Sequence, residues 1–148
     1  MIKRPKSKWF AHQTENKNAL VNLVCFVFAG GSPSFFAPWK QLMPDWINLM
    51  PVLYPMREKR LKESMPENIE EFVNNFFREN KHLLDKKIVV WGHCSGSLLG
   101  MEYIRLLEKT EYRRLRLLSA EASSLNMFLS DFAEKRARDL CPNLRMRI

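Results

Sequence analysis

The sequence predicts an α/β fold in which a parallel β-sheet is flanked by helices. Four apolar segments alternate with stretches whose apolar residues recur at helical spacing. The predicted strands are Leu20–Phe28, Ile47–Tyr54, Ile88–Trp91 and Leu115–Ala120. Strands that alternate with helices indicate βαβ units, whose successive strands lie parallel in one sheet. The first run is continuously apolar, as in a strand buried on both faces, whereas Pro51 suggests that the second strand is bent or near an edge.

The segments between the strands have helical patterns. Ser34–Met43 carries apolar residues at helical spacing and is followed by Pro44. Another helix is predicted to open after Ser64, with Pro66 near its first turn and acidic residues at its positive end. Its predicted buried stripe comprises Ile69, Phe72, Val73, Phe76 and Phe77. A third helix is predicted over Ser97–Leu107.

Composition restricts the class of protein. A chain of 148 residues with 46% hydrophobic and 27% charged residues fits one globular domain. The net charge is +8, but the basic residues are interspersed with acidic ones, and no zinc spacing or RNP-like run accompanies them. We therefore expect no nucleic-acid partner, and nothing in the sequence indicates a metal or other cofactor.

Cysteine usage and hydropathy indicate a cytoplasmic protein. Cys25, Cys94 and Cys141 are odd in number and far apart, which argues against a disulfide framework and favours a reducing compartment. The apolar run from Ala19 to Ala29 follows a basic, polar start and superficially resembles a signal peptide. Its 11 residues are too few to span a bilayer as a helix, so we predict a buried strand and no membrane partner.

The main chemical signal is the motif Gly92-His93-Cys94-Ser95-Gly96 between a predicted strand and a predicted helix. A nucleophile elbow needs small residues two positions before and two after the nucleophile, because strand and helix pack closely there. Glycines flank Cys94 in this way, whereas the same positions around Ser95 are His93 and Ser97. The helix N-terminus would favour a Cys94 thiolate, and the Ser95 N–H would face a developing oxyanion. The alternative is a buried structural cysteine.

Four spaced motifs resemble the type II thioesterases of nonribosomal peptide and polyketide synthesis, which are α/β-hydrolases. The first strand leads into Ala29-Gly30-Gly31-Ser32, which resembles the family's A-G-G-S loop, and Phe36 and Trp39 fit its F-x-x-W pattern. The run Tyr54-Pro55-Met56-Arg57-Glu58-Lys59-Arg60 resembles its P-G-R-E-x-R segment, with Met56 in place of the usual glycine. The run from Gly92 to Leu99 resembles its G-H-S-M-G-A-L-L motif, with cysteine in place of serine.

The resemblance implies hydrolysis of acyl groups carried on the phosphopantetheine arm of an acyl or peptidyl carrier protein. It places Ala29 in the loop that provides the second oxyanion-hole N–H. Two roles remain open for Arg57, Arg60 and Glu102. They are either residues of the active site or charges that lie on the surface and brace loops. Cysteine is a competent nucleophile for acyl transfer, so the change from serine preserves the chemistry.

The family's later strands carry the acidic residue and the histidine base, and these have no counterpart in this chain. We expect His93 to point away from Cys94, and His82 and His12 to lie at the opposite edge of the sheet. Asp131 and Asp139 fall in the C-terminal segment, with no histidine to orient.

The sequence thus predicts a truncated α/β-hydrolase-like parallel sheet with flanking helices. We divide it into a basic lead-in at 1–18, a partial thioesterase domain at 19–122, and a lid-like helix with a basic tail at 123–148. The predicted activity is thioester hydrolysis, impaired by the lack of a placed histidine. The alternatives are a non-catalytic remnant that binds acyl groups or carrier proteins, and a cysteine hydrolase of esters or lactones. Self-association through an exposed sheet edge is also expected.

Overall fold

The computed structural model describes residues 6–110 and the backbone of residues 115–119. Its strands are β1 (Val21–Phe26), β2 (Ile47–Pro51), β3 (Lys87–Gly92) and β4 (Leu115–Ser119). They form one sheet in the order β2-β1-β3-β4, and every neighbouring pair is parallel. The predicted α/β fold is therefore confirmed, with β1 and β3 as the inner strands of the described sheet.

The two long helices are α1 (Ile69–Glu79) and α2 (Ser95–Lys109). The predicted helix over Ser34–Met43 is instead a 3₁₀ helix, Pro33–Gln41, with Pro38 inside it. Proline lacks the N–H that an α-helix interior requires, and this disfavours a regular α-helix here. Two further 3₁₀ helices, Glu58–Arg60 and Lys81–Asp85, precede α1 and β3.

Helix α1 begins later than predicted. Its N-cap is Asn68, whose side chain accepts a hydrogen bond of 2.8 Å from the N–H of Glu71. Glu71 reaches back to accept from the N–H of Glu67 at 2.8 Å, in a variant of the capping box. Phe72, Val73 and Phe76 are buried as predicted, but Ile69 is exposed.

The sheet separates two apolar layers. Val24 and Phe26 of β1 face α1 and α2, where they join Phe76 and Tyr103 in one cluster. The alternate residues of β1 point to the other side, into a cluster with Phe36 and Trp39 of the Pro33–Gln41 helix and Trp91 of β3. The strands are thus buried on both faces, as their continuous hydrophobicity predicts.

Residues 9–14, within the predicted basic lead-in, are packed against the sheet. They run antiparallel beside β2, with a bridge between Phe10 and Val52. The Leu53 N–H donates to the carbonyl of Trp9 at 2.7 Å, and the Thr14 N–H donates to that of Leu49 at 2.9 Å. This pairing covers the outer side of β2. In the described part of the chain no helix is long and apolar enough to cross a membrane.

Candidate active site

Cys94 lies at a sharp turn between β3 and α2. The strand ends at Gly92 and the helix begins at Ser95, and Cys94 has φ 54° and ψ −123°. A non-glycine residue at positive φ is strained by about 1–3 kcal/mol, so the surrounding packing must hold it there. Cys94 is exposed, which excludes the alternative of a buried structural cysteine.

Gly92 and Gly96 are required by the close approach of backbone segments. A Cβ on Gly92 would lie 2.5 Å from the carbonyl oxygen of Gly96, and a Cβ on Gly96 would overlap the carbonyl oxygen of Phe26. The same Cβ would lie 2.7 Å from the carbonyl oxygen of Val27. The first turn of α2 therefore packs directly against the end of β1. This is the geometry that the glycine spacing around Cys94 predicted.

The turn lies at the topological switch point of the sheet. From β1 the chain passes to β2 on one side, and β3 then pairs with β1 on the other side. The loops that follow β1 and β3 diverge at the carboxyl edge, and open α/β sheets bind ligands in such a crevice. Cys94 follows β3 and Ala29 follows β1. The position of this crevice depends on the strand order, which short sequence patterns do not contain.

The predicted oxyanion donors lie in these two loops. Ser95 is the first residue of the 15-residue helix α2, and Ala29 is exposed in a tight turn. Gly30 has φ 79°, and the Gly31 N–H donates to the carbonyl of Phe28 at 3.0 Å. Within residues 6–110, neither the Ser95 N–H nor the Ala29 N–H donates to a backbone acceptor. As far as the backbone of these residues is concerned, both N–H groups are therefore free to donate to an oxyanion.

Aromatic side chains connect the two loops. The Phe28 ring packs edge-on against Phe35, with centroids 5.3 Å apart, and against His93 at 6.0 Å. His93 in turn stacks on Trp91 at 6.3 Å. Phe35 remains about half exposed, at 48%. This surface gives the crevice an apolar wall on the side of the Pro33–Gln41 helix.

Within the described residues, the three histidines have positions or partners that do not place an imidazole nitrogen on Cys94. His93 is held against Trp91 and Phe28, and His82 lies in the Lys81–Asp85 helix that leads into the start of β3. The placement of His12 at the far edge was wrong. Its Nε2 is 3.7 Å from an oxygen of Glu58, beyond the carboxyl end of β2, because residues 9–14 run antiparallel to that strand.

Arg60 braces the fold and does not belong to the crevice. It is buried, with 3% exposure, and donates to the carbonyl of Leu53 and to Glu63, both at 2.7 Å. Its guanidinium lies 4.2 Å from the centroid of the Trp9 ring. The Arg60 hydrogen bond is the main reason that the pKa of Glu63 falls from 4.5 to about 2.

The other residues that the resemblance singled out have local partners. Glu102 pairs with Arg105 at 3.3 Å on the surface of α2, and Arg57 donates to the carbonyl of Met56 at 3.0 Å. Burial raises the pKa of the Cys25 thiol, which lies within β1. Cys141, Asp131 and Asp139 lie outside the described residues.

A parallel sheet with a strained strand-to-helix turn at its switch point defines the chain as an α/β-hydrolase. The model of the thioesterase domain family matches residues 21–137. The chain belongs to this family, and it is similar to type II thioesterases of nonribosomal peptide and polyketide pathways. The resemblance drawn from the four motifs is thereby confirmed.

The relatives come from several pathways. The gramicidin S biosynthesis protein GrsT of Aneurinibacillus migulanus is 29% identical over 70% of this chain and 40% of its own length. The medium-chain S-acyl fatty acid synthase thioesterase of Anas platyrhynchos is 34% identical over 62% of this chain and 37% of its own length. The structure of the type II thioesterase BorB, from the borrelidin biosynthetic cluster, superposes with a TM-score of 0.69 and 26% identity, covering 79% of this chain and 48% of that one. The chain thus spans about two fifths of the length of these curated relatives.

Proposed function

We propose that this chain is an acyl-thioester hydrolase in which Cys94 is the nucleophile and the N–H groups of Ser95 and Ala29 stabilise the oxyanion. The observation that carries the proposal is the exposed Cys94 at a strained turn, beside the loop that follows β1. Serine usually occupies this position in the family. A thiolate attacks thioesters readily, so the replacement is compatible with the same reaction.

We propose acyl groups on the phosphopantetheine arm of a carrier protein as the substrate. Relatives named for gramicidin S biosynthesis, borrelidin biosynthesis and fatty acid synthase support this class of substrate. The apolar wall formed by Phe28 and Phe35 suits an acyl chain better than a charged group. Removal of stalled or aberrant acyl groups is the corresponding role.

We further propose that acylation of Cys94 is faster than release of the acid. In acylation the Cys94 thiolate forms a new C–S bond to the carbonyl carbon, and the pantetheine thiolate leaves and takes a proton from solvent. Because one thioester replaces another, this step needs little more than the thiolate and an oxyanion hole. Release requires activation of water by a base, which contributes about 10²–10⁴-fold. His12, His82 and His93 all have partners or positions away from Cys94 in the described structure.

The test is incubation of the chain with an acyl-pantetheine thioester, following the mass of the protein and the free acid together. We expect one acyl group on Cys94 and slow release of acid, both abolished in Cys94→Ala. Cys94→Ser is the matched variant, because it restores the family's usual residue but depends more on a base. We expect its acylation to be much slower than that of the wild type.

Two outcomes contradict the proposal. Rapid turnover that requires Cys94 would show that a base acts on water, and would refute the slow release step. A folded wild-type chain that gains no acyl mass would refute the nucleophile. In that case the alternative of a non-catalytic protein that binds acyl groups or carrier proteins is favoured.

A further inference from the structure

Glu58 makes the polar contacts that tie the loop after β1 to the segment after β2. Its Oε1 accepts from the Ser32 hydroxyl at 2.9 Å and from the Ser34 N–H at 3.2 Å. Its other oxygen, Oε2, lies 3.7 Å from Nε2 of His12. One carboxylate therefore joins three segments at the carboxyl edge of the sheet.

The backbone that presents Glu58 is strained. Glu58 has φ 42°, and Met56, two residues earlier, has φ 60°. Residues with a Cβ are disfavoured at such angles by about 1–2 kcal/mol each. Strained residues persist where the surrounding contacts hold them, and the contacts of Glu58 with Ser32, Ser34 and His12 are of that kind.

The loop that Glu58 holds has little rigidity of its own. Ala29 is followed by two glycines, which leave the backbone more conformations than other residues do. On one side the side chains of Val27 and Phe28 lie close against the turn, since a Cβ on Gly31 would come within 2.5 Å of Val27 and 2.9 Å of the Phe28 ring. On the other side the turn is held by Ser32, through Glu58. An oxyanion donor must lie within about 2.7–3.1 Å of the developing charge, so small displacements of this loop matter.

We propose that Glu58 is a positioning residue that holds the Ala29–Ser32 turn, so that the Ala29 N–H faces the carbonyl oxygen of a thioester at Cys94. The inference rests on the proposed function and assigns to it a residue that does not touch the substrate. Glu58 acts through Ser32 and Ser34, and His12 supports the carboxylate from the N-terminal segment.

Two reagents separate this role from a general effect on the thiol. Attack of Cys94 on a thioester places negative charge on the carbonyl oxygen before the pantetheine thiolate leaves. Alkylation by iodoacetamide forms one S–C bond as iodide departs, and no oxyanion develops. Loss of loop positioning should therefore slow the first reaction and leave the second unchanged. Loss of folding or of thiol accessibility would change both.

The experiment measures both rates for the full-length chain and its variants. For Glu58→Ala we expect acylation by acyl-pantetheine to slow at least about tenfold, because loss of one oxyanion donor costs about 10²–10³ in rate. We expect its alkylation by iodoacetamide to remain within about twofold of wild type. Glu58→Gln keeps an acceptor oxygen for Ser32 and Ser34 and should restore most of the acylation rate. Glu108→Ala removes an exposed carboxylate from the far end of α2 and should change neither rate.

If Glu58→Ala does not fold, Ser32→Ala provides the same comparison, because it removes one of the two hydrogen bonds to the carboxylate. Acylation of folded Glu58→Ala at the wild-type rate would overturn the inference. Equal slowing of acylation and alkylation would also overturn it, because that result indicates a structural role. Failure of the wild type itself to become acylated would refute the proposed function, and this inference with it. The wild-type sample therefore tests the proposed function, whereas the Glu58→Ala sample tests the inference.

Discussion

Strained residues concentrate around the candidate site. Among the described residues, four that are not glycine adopt positive φ: His12, Met56, Glu58 and Cys94. Cys94 forms the turn after β3, and Met56 and Glu58 lie in the segment that braces the turn after β1. Backbone strain of this kind is characteristic of sites where geometry matters for chemistry. The usual glycine of the related P-G-R-E-x-R segment has a physical reason, since Met56 has φ 60°.

Met56→Gly should stabilise the protein by about 0.5–1 kcal/mol. Glycine relieves the strain of a left-handed backbone, and this gain exceeds its greater entropy in the unfolded chain. The matched control is Leu61→Gly, at an exposed position with φ −54°, which should be destabilising by about 0.5–1 kcal/mol. Urea denaturation of both variants measures the difference. If Met56→Gly were less stable than wild type, the contacts of the Met56 side chain would stabilise the fold by more than the strained backbone destabilises it.

Cys94 should react with iodoacetamide much faster than Cys25. Cys94 is exposed, whereas Cys25 is fully buried in β1, where desolvation raises its pKa and disfavours the reactive thiolate. Brief labelling of the folded protein followed by peptide mass spectrometry gives both rates, and labelling in denaturant is the control that should equalise them. Labelling of Cys25 at the rate of Cys94 in folded protein would contradict this. Cys141 lies outside the described residues; we predict that it too is labelled more slowly than Cys94, because only Cys94 precedes the first turn of α2 among the described cysteines.

At the residue scale, the spacing of glycines predicted the turn at Cys94, but it did not predict the contacts of Glu58 with Ser32 and His12. The distances around Gly92 and Gly96 involve neighbours within a few residues and one adjacent strand, so a short motif encodes them. Glu58 meets Ser32 across 26 positions of sequence, and His12 meets Glu58 only because the N-terminal segment folds along β2. No local pattern contains those contacts.

At the scale of elements, the strands were well predicted. Strands β1 and β3 are buried on both faces, and such a strand needs a continuous apolar run that is visible in the sequence. Helix boundaries were less accurate. Asn68 and Glu71 stand three residues apart, a capping signal that was present in the sequence but was outweighed by Pro66. Apolar residues within the predicted third helix are not all buried: Leu98 and Met101 are exposed at 57% and 44%, because the buried side of α2 is formed by Tyr103, Ile104 and Leu107.

Gly96→Ala should disrupt the junction between β3 and α2 and destabilise the protein by at least about 2 kcal/mol. The added Cβ would meet the carbonyls of Phe26 and Val27, and the strand backbone cannot move aside as a side chain can. Gly100→Ala is the matched control on the same helix. Its Cβ would meet only side chains, the nearest being Val90 at 3.1 Å, and the gain in helix propensity of about 1 kcal/mol offsets the tighter packing.

Denaturant unfolding of the two alanine variants decides between these expectations. We expect Gly100→Ala to remain within about 1 kcal/mol of wild type while Gly96→Ala falls well below it. In addition, the folded fraction of Gly96→Ala should lose acylation of Cys94, because the turn that exposes the thiol is displaced. Equal stability of the two variants would show that the backbone around Phe26 is more adaptable than its position between β2 and β3 suggests.

At the scale of the whole molecule, the N-terminal segment is part of the domain. Trp9 and Phe10 are each 2% exposed and lie in the cluster between the sheet and the helices α1 and α2. Basic residues and the absence of a clear period indicated only a basic lead-in over residues 1–18. A segment that pairs with the sheet through one isolated bridge and buries only Trp9 and Phe10 has too short a pattern to be recognised from sequence.

Trp9→Ala should therefore destabilise the whole chain by about 3–5 kcal/mol, as expected for truncation of a buried tryptophan. The Trp9 ring contacts Phe72 and Phe76 edge-on at 5.4 and 5.5 Å, lies under Arg60, and donates its Nε1–H to Glu79 at 2.8 Å. Its loss leaves a cavity and also removes the ring that covers a buried guanidinium.

Lys8→Ala is the matched control in the same segment. It removes only exposed ion pairs, to Glu63 at 3.2 Å and to Glu79 at 3.9 Å, and should change stability by no more than about 1 kcal/mol. Thermal and urea unfolding of both variants measure the difference. If residues 9–14 unfold together with the sheet, Trp9→Ala should lower the unfolding midpoint measured by every probe. One such probe is the labelling of Cys25, which is buried within β1. A Trp9→Ala variant as stable as Lys8→Ala would show that residues 9–14 detach without unfolding the sheet.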